Sequence, residues 1–177
     1  MAQATHSQST SRGLTLVELL VVISVTAVLM AIAIPTFSSI LSSSRLRGVA
    51  DVLMTDLRLA MTESTKRDSD VWVSFQYDPG GANWCYGLSL DGSCNCRNVN
   101  ECSIDGVERV SQTSTAVWVD PTSSSYVFKP KRSTVTAGNI ELEADNGKEI
   151  RIVISGYGRI KPCSPSGANH LSGYPKC

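Results

Sequence analysis

The chain has 177 residues, no formal net charge and a hydrophobic fraction of 42%. Once an apolar amino-terminal segment is set aside, this length suffices for one domain with its own core, and we expect no second domain. The charge is uneven. The stretch 68–110 carries seven acids against Arg97 and Arg109. From Ile150 to the end there is no acid, and the carboxy end is a basic pole.

The amino-terminal part contains an apolar run from Leu14 to Ile34, which ends at Pro35. At about 1.5 Å of rise per residue, a helix over this run has roughly the thickness of a bilayer's hydrocarbon core. The sequence therefore predicts one membrane-spanning helix. Glu18 is its only charged residue, and a lone charge in a membrane costs about 2.5–3.5 kcal/mol. Such a carboxylate needs a partner.

The residues before this run do not form an ordinary secretory signal, because Met1 to Gly13 is polar and contains only one fixed charge, Arg12. Gly13 before Leu14, with Glu18 as the fifth residue after the Gly, resembles the type IV pilin signature that prepilin peptidase reads. The resemblance implies cleavage between Gly13 and Leu14 and methylation of the Leu14 amino group. It also implies that Glu18 serves peptidase recognition and pairs with a neighbouring subunit's amino terminus. The alternative is a simple signal anchor with a chance Glu.

After Pro35, apolar residues recur at three- and four-residue steps up to Met61, so the helix should continue to about Lys66 with a kink at Pro35. The second half of the helix is amphipathic, so its apolar face must pack against another part of the chain. The chain thus divides into a leader (1–13), a transmembrane and filament-core helix (14–35), an amphipathic helix (36–67) and a β-rich, disulfide-containing head (68–177).

The rest of the chain predicts antiparallel β structure, starting with the alternating run Val71 to Tyr77. Asn146-Gly147 indicates a hairpin with a type I′ turn. Further strands are predicted at Trp84 to Leu90, Gly106 to Val110, Ala116 to Val119, Tyr126 to Phe128, Ile140 to Ala144, Ile150 to Ser155 and Gly158 to Lys161. A long helix packed on antiparallel sheets is an α+β fold.

The six cysteines all follow the membrane segment: Cys85, Cys94, Cys96, Cys102, Cys163 and Cys177. An even number in an exported domain predicts disulfides and an oxidising compartment such as a bacterial periplasm. Proximity favours pairing within 85–102 and a separate Cys163–Cys177 bond, although other connectivities stay open. A zinc site is disfavoured because Cys94 and Cys96 are too close together for usual ligand spacing.

A second resemblance to known proteins lies in the last third of the chain. Phe128-Lys129-Pro130 and the run from Ile150 to Cys163 resemble the GspH/FimT family of minor pilins and pseudopilins, with the FimT/FimU-like branch nearest. In FimT-like pilins of competent bacteria, a Gly-Arg-x-Arg element is implicated in DNA binding. Here it is Gly158-Arg159-Ile160-Lys161, which implies DNA contacts through Arg159 and Lys161, extended by Arg151 and Lys176. The alternative is that these cations form a solvated face.

Enzymatic chemistry is not expected. His6 would be lost with the leader, which leaves only His170, and no catalytic motif, metal site or cofactor site is recognisable. Together, the two resemblances imply an inner-membrane minor pilin, with a cytoplasmic amino end and a periplasmic head, that helps to prime or tip a type IV pilus. Its expected partners are other pilins or pseudopilins, prepilin peptidase, the assembly platform and DNA. The alternatives are a type II secretion pseudopilin and a purely structural subunit.

Overall fold

The computed structural model describes residue 13 and residues 15–113, 116–130 and 134–177, without the side chains of 33–36 and 112–113. Apart from Gly13, the predicted leader lies outside the described residues, and so does Leu14. The chain divides into two compact units, Met1–Ser38 and Ser39–Cys177. We call the second the globular unit. It contains the whole buried core and all three disulfides.

Helix α1 runs from Leu16 to Arg67. Thr15 caps its start, since its Oγ1 accepts a hydrogen bond from the Glu18 N–H at 3.2 Å. The part of the helix before Pro35 is apolar and exposed, and by length and composition it can cross a membrane. The helix continues through Pro35. The side chains of 33–36 are outside the described residues, so the kink at Pro35 stays a prediction.

In the globular unit, α1 buries one face. Fully or almost fully buried residues recur along it with helical spacing: Leu46, Ala50, Leu53, Met54, Leu57 and Ala60. Polar contacts from the sheets hold the same helix. The Tyr86 hydroxyl donates to Asp56 Oδ2 at 2.6 Å, and burial is the main cause that raises the pKa of Tyr86. The amphipathic half of the helix therefore packs as predicted.

Eleven strands are described: β1 Val71–Tyr77, β2 Trp84–Ser89, β3 Ser103–Ile104, β4 Val107–Glu108, β5 Val110–Thr113, β6 Val117–Pro121, β7 Ser125–Lys129, β8 Thr134–Val135, β9 Gly138–Ala144, β10 Glu149–Ile154 and β11 Ile160–Cys163. They form antiparallel sheets in the orders β5-β2-β1-β7-β8 and β11-β10-β9-β6, with a small β3-β4 pair. Buried residues of both larger sheets and of α1 form one core cluster. The predicted α+β fold is confirmed.

Two local predictions are wrong. The strand expected over Gly106 to Val110 is split into β4 and β5, because the chain changes its pairing partner at Arg109: its N–H donates to the Cys102 carbonyl beside β3, and its carbonyl accepts from the Leu88 N–H of β2. The β9–β10 hairpin is real, but its turn is not type I′, since Gly147 has φ +71° and Asn146 has no positive φ. Ala144 and Lys148 close a three-residue loop that needs only one left-handed residue. The Asn146 amide donates to Ser43 Oγ on α1 at 2.9 Å.

All six cysteines form disulfides, paired Cys85–Cys96, Cys94–Cys102 and Cys163–Cys177. Cys85–Cys96 joins the excursion between β2 and β5 to β2, Cys94–Cys102 closes a loop within the excursion, and Gly87 on β2 leaves room for the second bond. A Cβ on Gly87 would lie 2.5 Å from Cys102 Cβ and 3.3 Å from Cys94 Sγ. The backbone of Gly87 is not left-handed, so the requirement for glycine here is steric.

We predict that Gly87→Ala lowers the free energy of unfolding of the globular unit by about 2 kcal/mol or more, because the added methyl overlaps the disulfide. Thermal unfolding followed by circular dichroism should show Tm lower by roughly 5 °C or more. Gly48→Ala is the matched control: a Cβ there meets no atom within 4 Å, and Ala favours helix. An unchanged Tm for Gly87→Ala would contradict the close packing.

Candidate interaction surfaces

Of the residues predicted to serve processing, Gly13 lies just before α1 and Glu18 in its first turn, whereas Leu14 is outside the described residues. Gly13 and Glu18 are both exposed, and Glu18 occupies the first turn, where the helix dipole favours a carboxylate. Thr15 and Glu18 also have the Thr-x-x-Glu spacing of a capping box, and the bond from the Glu18 N–H to Thr15 Oγ1 is one half of it. The Thr-x-x-Glu spacing by itself is the sequence signal of this cap. Glu18 thus has a local role in addition to the one that the resemblance implies.

The hairpin between β10 and β11 carries the predicted basic element. The Ser155 N–H donates to the Arg159 carbonyl at 3.0 Å, which closes a three-residue loop, and Gly158 supplies the left-handed residue with φ +77°. Tyr157 is at the tip of this loop with 88% of its surface exposed. Arg159 is exposed directly after the loop. The predicted strand from Gly158 therefore starts only at Ile160, because Gly158 lies in the loop and Arg159 closes it.

Cross-strand register decides where β11 points its side chains. Ile160 pairs with Ile154 and packs against the core, whereas Lys161 pairs with Val153 on the outer face and is exposed. Arg159 and Lys161 form no ion pair with any residue that the structure describes. Both cations are therefore available to a partner.

The carboxy-terminal tail folds back beside β11. Cys163 bonds to Cys177, and the Ser164 and Cys177 amides donate to the carbonyls of Pro175 and Ser164 at 2.9 and 3.1 Å. Buried Ser164 donates to the Glu149 carbonyl at 2.7 Å. This arrangement leaves Lys176 exposed on the same edge of the sheet as Lys161. We call Arg159, Lys161 and Lys176 the basic edge.

Arg151 does not join this group. Its guanidinium lies 2.8 Å from Glu141 Oε1 and 3.3 Å from Glu149 Oε1, so its charge is compensated within the chain. Burial, followed by the charge of Glu141, raises the pKa of Glu149 above its usual value. The sequence alone could not reveal the closer contact, because Glu141 lies on the neighbouring strand β9 of the folded sheet.

An acidic groove, which sequence reasoning missed, lies over β6 and β9 on the outer face of the four-stranded sheet. It is a cavity of about 610 Å³. Tyr77 and Trp118 are among its walls, and five carboxylates line it: Asp120, Glu141, Glu143, Asp145 and Glu149. These acids are spread along the sequence from Asp120 to Glu149, and only the β6–β9 and β9–β10 pairings bring them together.

The other residues singled out in the sequence, His170 and Tyr174, contact nearby parts of the chain. A ring nitrogen of His170 is 3.2 Å from the Pro165 carbonyl, and Tyr174 packs against the core. Within the described residues no group of His, Cys, Asp or Glu could hold a metal ion. The basic edge and the acidic groove are thus two charged surfaces of the globular unit that are exposed for contact with other molecules.

Two family models match this chain. Residues 49–158 match the model described as Type II transport protein GspH, and residues 8–34 match the model described as Prokaryotic N-terminal methylation motif. No curated protein and no solved structure matches. The first match covers more than half of the chain, and the second covers the predicted cleavage site and the apolar helix. The chain therefore belongs to the GspH/FimT family of type IV minor pilins and pseudopilins, structural subunits that prepilin peptidase processes and that assemble with other pilins.

Proposed function

We propose that this protein is a minor pilin that helps to prime or tip a type IV pilus. The observation that carries the proposal is the combination of a methylation motif, an exposed apolar helix and a disulfide-bonded globular unit in one chain. The helix is the part that leaves the membrane and packs among other helices. The globular unit is the part that remains outside and presents its surfaces.

In this mechanism the leader is removed at Gly13, and the new amino group of Leu14 is methylated. Glu18 is then the fifth residue of the mature chain, and its charge is neutralised by the amino terminus of a neighbouring subunit. Because an uncompensated carboxylate among packed apolar helices is costly, this pairing favours one register between subunits. The subunit is anchored in the inner membrane with its amino end in the cytoplasm until the assembly platform extracts it. The protein performs no turnover of its own.

We predict that co-expression with an active prepilin peptidase shortens the chain by residues 1–13, as measured by intact mass, and that Gly13→Leu prevents this. Glu18→Gln should be processed less completely than the parent, because the resemblance gives Glu18 a part in peptidase recognition. Its processed fraction should be missing from sheared filaments, because the amide does not neutralise a neighbouring amino terminus. Asp91→Asn, which removes a carboxylate from an exposed position in the head, should behave as the parent does. A leader retained in cells with active peptidase would refute the proposal.

The second candidate is a pseudopilin of a type II secretion system, and the description of the matched family model favours it. The two machines use the same membrane anchor and the same processing. They differ in what the assembled fibre does, so the choice depends on the phenotype of the host.

Deletion of the gene should abolish surface pili and twitching, as seen by electron microscopy and subsurface motility, if the protein primes a pilus. Restoration by the parent chain, but not by Glu18→Gln, is the control. Intact pili together with secreted enzymes stranded in the periplasm would instead assign the protein to secretion.

DNA binding is a further candidate function, supported by the exposed and uncompensated Arg159 and Lys161. Two or three cations on one edge support weak, sequence-independent phosphate contacts that are sensitive to salt. Exposed Tyr157 beside them offers a surface on which a base of a single strand can stack. Lys161 acts as a point charge, without the bidentate fork of a second Arg.

We predict that the globular unit retards DNA in a gel at low salt, and that Arg159→Ala and Lys161→Ala each weaken this binding. Each variant should also reduce the slope of log K against log salt by about 1, because one phosphate contact is lost. Arg58→Ala, an exposed cation on α1, is the matched control. Equal retardation by the parent, both variants and the control would end this assignment.

A further inference from the structure

The side of helix α1 that faces away from the sheets carries a row of uncharged residues within the globular unit. Leu41, Gly48, Val52 and Thr55 lie in one row on a helix with 3.6 residues per turn, and we call them the outer row. All four are exposed, with 40% of Leu41 and 52% of Val52 accessible. The Thr55 hydroxyl donates to the Asp51 carbonyl at 2.8 Å and is satisfied within the helix. Polar and charged residues are usual on this side of an amphipathic helix, so an apolar row there is unexpected.

Gly48 is the most informative member of the outer row, because glycine disfavours a helix interior relative to alanine. Its backbone is helical and not left-handed, so its conformation does not require glycine. A Cβ added to Gly48 would meet no atom of the described chain within 4 Å, so internal packing does not require glycine either. The fold thus gives no reason for a missing side chain here, whereas a partner that closely approaches the helix gives one.

We propose that the outer row binds the helix of another pilin subunit, with Gly48 at the point of closest approach. Helix axes pack about 8–10 Å apart according to the side chains at the contact, and glycine permits the short end of this range. Leu41, two turns before Gly48, and Val52, one turn after it, then transfer exposed apolar surface from water to the contact, which is favourable.

The occupant is a helix because of the organisation of the chain. The outer row belongs to the same helix as the apolar segment before Pro35, and the proteins of this family assemble with other pilins. A second helix that leaves the membrane beside α1 can follow the row along its length. Arg45 lies at the margin of the row, and its long side chain can turn aside toward water. The inference rests on the proposed function and extends the contact between subunits into the half of α1 that carries the globular unit.

Stability and assembly should respond in opposite directions to substitution of Gly48. Gly48→Ala and Gly48→Leu should each raise the Tm of the full chain in detergent by roughly 2–4 °C, because both residues favour helix over glycine. In host cells that lack the native copy, both variants should be processed as the parent is. The amount in sheared filaments relative to the membrane pool, measured by immunoblot, should fall about tenfold or more for Gly48→Leu and less for Gly48→Ala.

The matched control is Thr65→Leu, which adds bulk at an exposed position of α1 about a third of a turn away from the row. This variant should assemble as the parent does. Equal incorporation of Gly48→Leu and the parent, or a lower Tm for Gly48→Leu, would overturn the proposal.

A photochemical cross-link identifies the occupant directly. The full chain with p-benzoylphenylalanine in place of Val52, irradiated in cells that form filaments, should give an adduct that mass spectrometry assigns to the helix of another pilin. The same probe in place of Thr65 should give much less of this adduct. Cross-links only to globular parts, or none, would contradict the proposal. If the parent is processed and reaches filaments, such results refute only this inference; if the parent is never processed, the proposed function fails as well.

Discussion

Burial of one face of helix α1 against both sheets is the constraint on which the rest of the structure depends. Leu46, Leu53 and Leu57 are completely buried, and truncation of any such residue to Ala costs about 2–5 kcal/mol in typical cores. Buried residues of both sheets belong to one core with the helix. The same helix also includes the apolar segment before Pro35, which by length and composition can cross a membrane.

Polar contacts then hold the sheets in register on the helix. Asn146, at the tip of the β9–β10 hairpin, binds Ser43, and Arg47 donates to the Ser172 carbonyl in the tail at 2.9 Å. At the far end, Arg67 binds both Asp105, in the β3–β4 turn, and Glu63. The Arg67 guanidinium lowers the pKa of Asp105, mainly through their hydrogen bond. These contacts connect both hairpins and the tail to one rigid element.

Ion pairs distinguish the charged side chains that stabilise the fold from those that remain available to a partner molecule. Arg67, Arg97 and Arg151 are used inside the chain, where they hold the helix end, the stapled excursion and the outer sheet face. Arg159 and Lys161 have no such partner among the described residues, and the tail that carries Lys176 is held in place by a disulfide. Rigid presentation lowers the entropy lost when a partner binds, which matters most where few groups make the contact.

Several features were determined by the sequence alone. The apolar run with Glu18 after Gly13 identifies the processing motif, helical spacing identifies the buried face of α1, and alternation identifies most strands, because these signals depend on neighbours along the chain. Tertiary structure alone decided the turn at Asn146, the compensation of Arg151 and the gathering of five acids into a groove. Each of these depends on which strand pairs with which, and pairing is set by the shared core, not by local residue order. The sequence thus specified the anchor and the fold class, while the charged surfaces of the globular unit exist only after the sheets have formed.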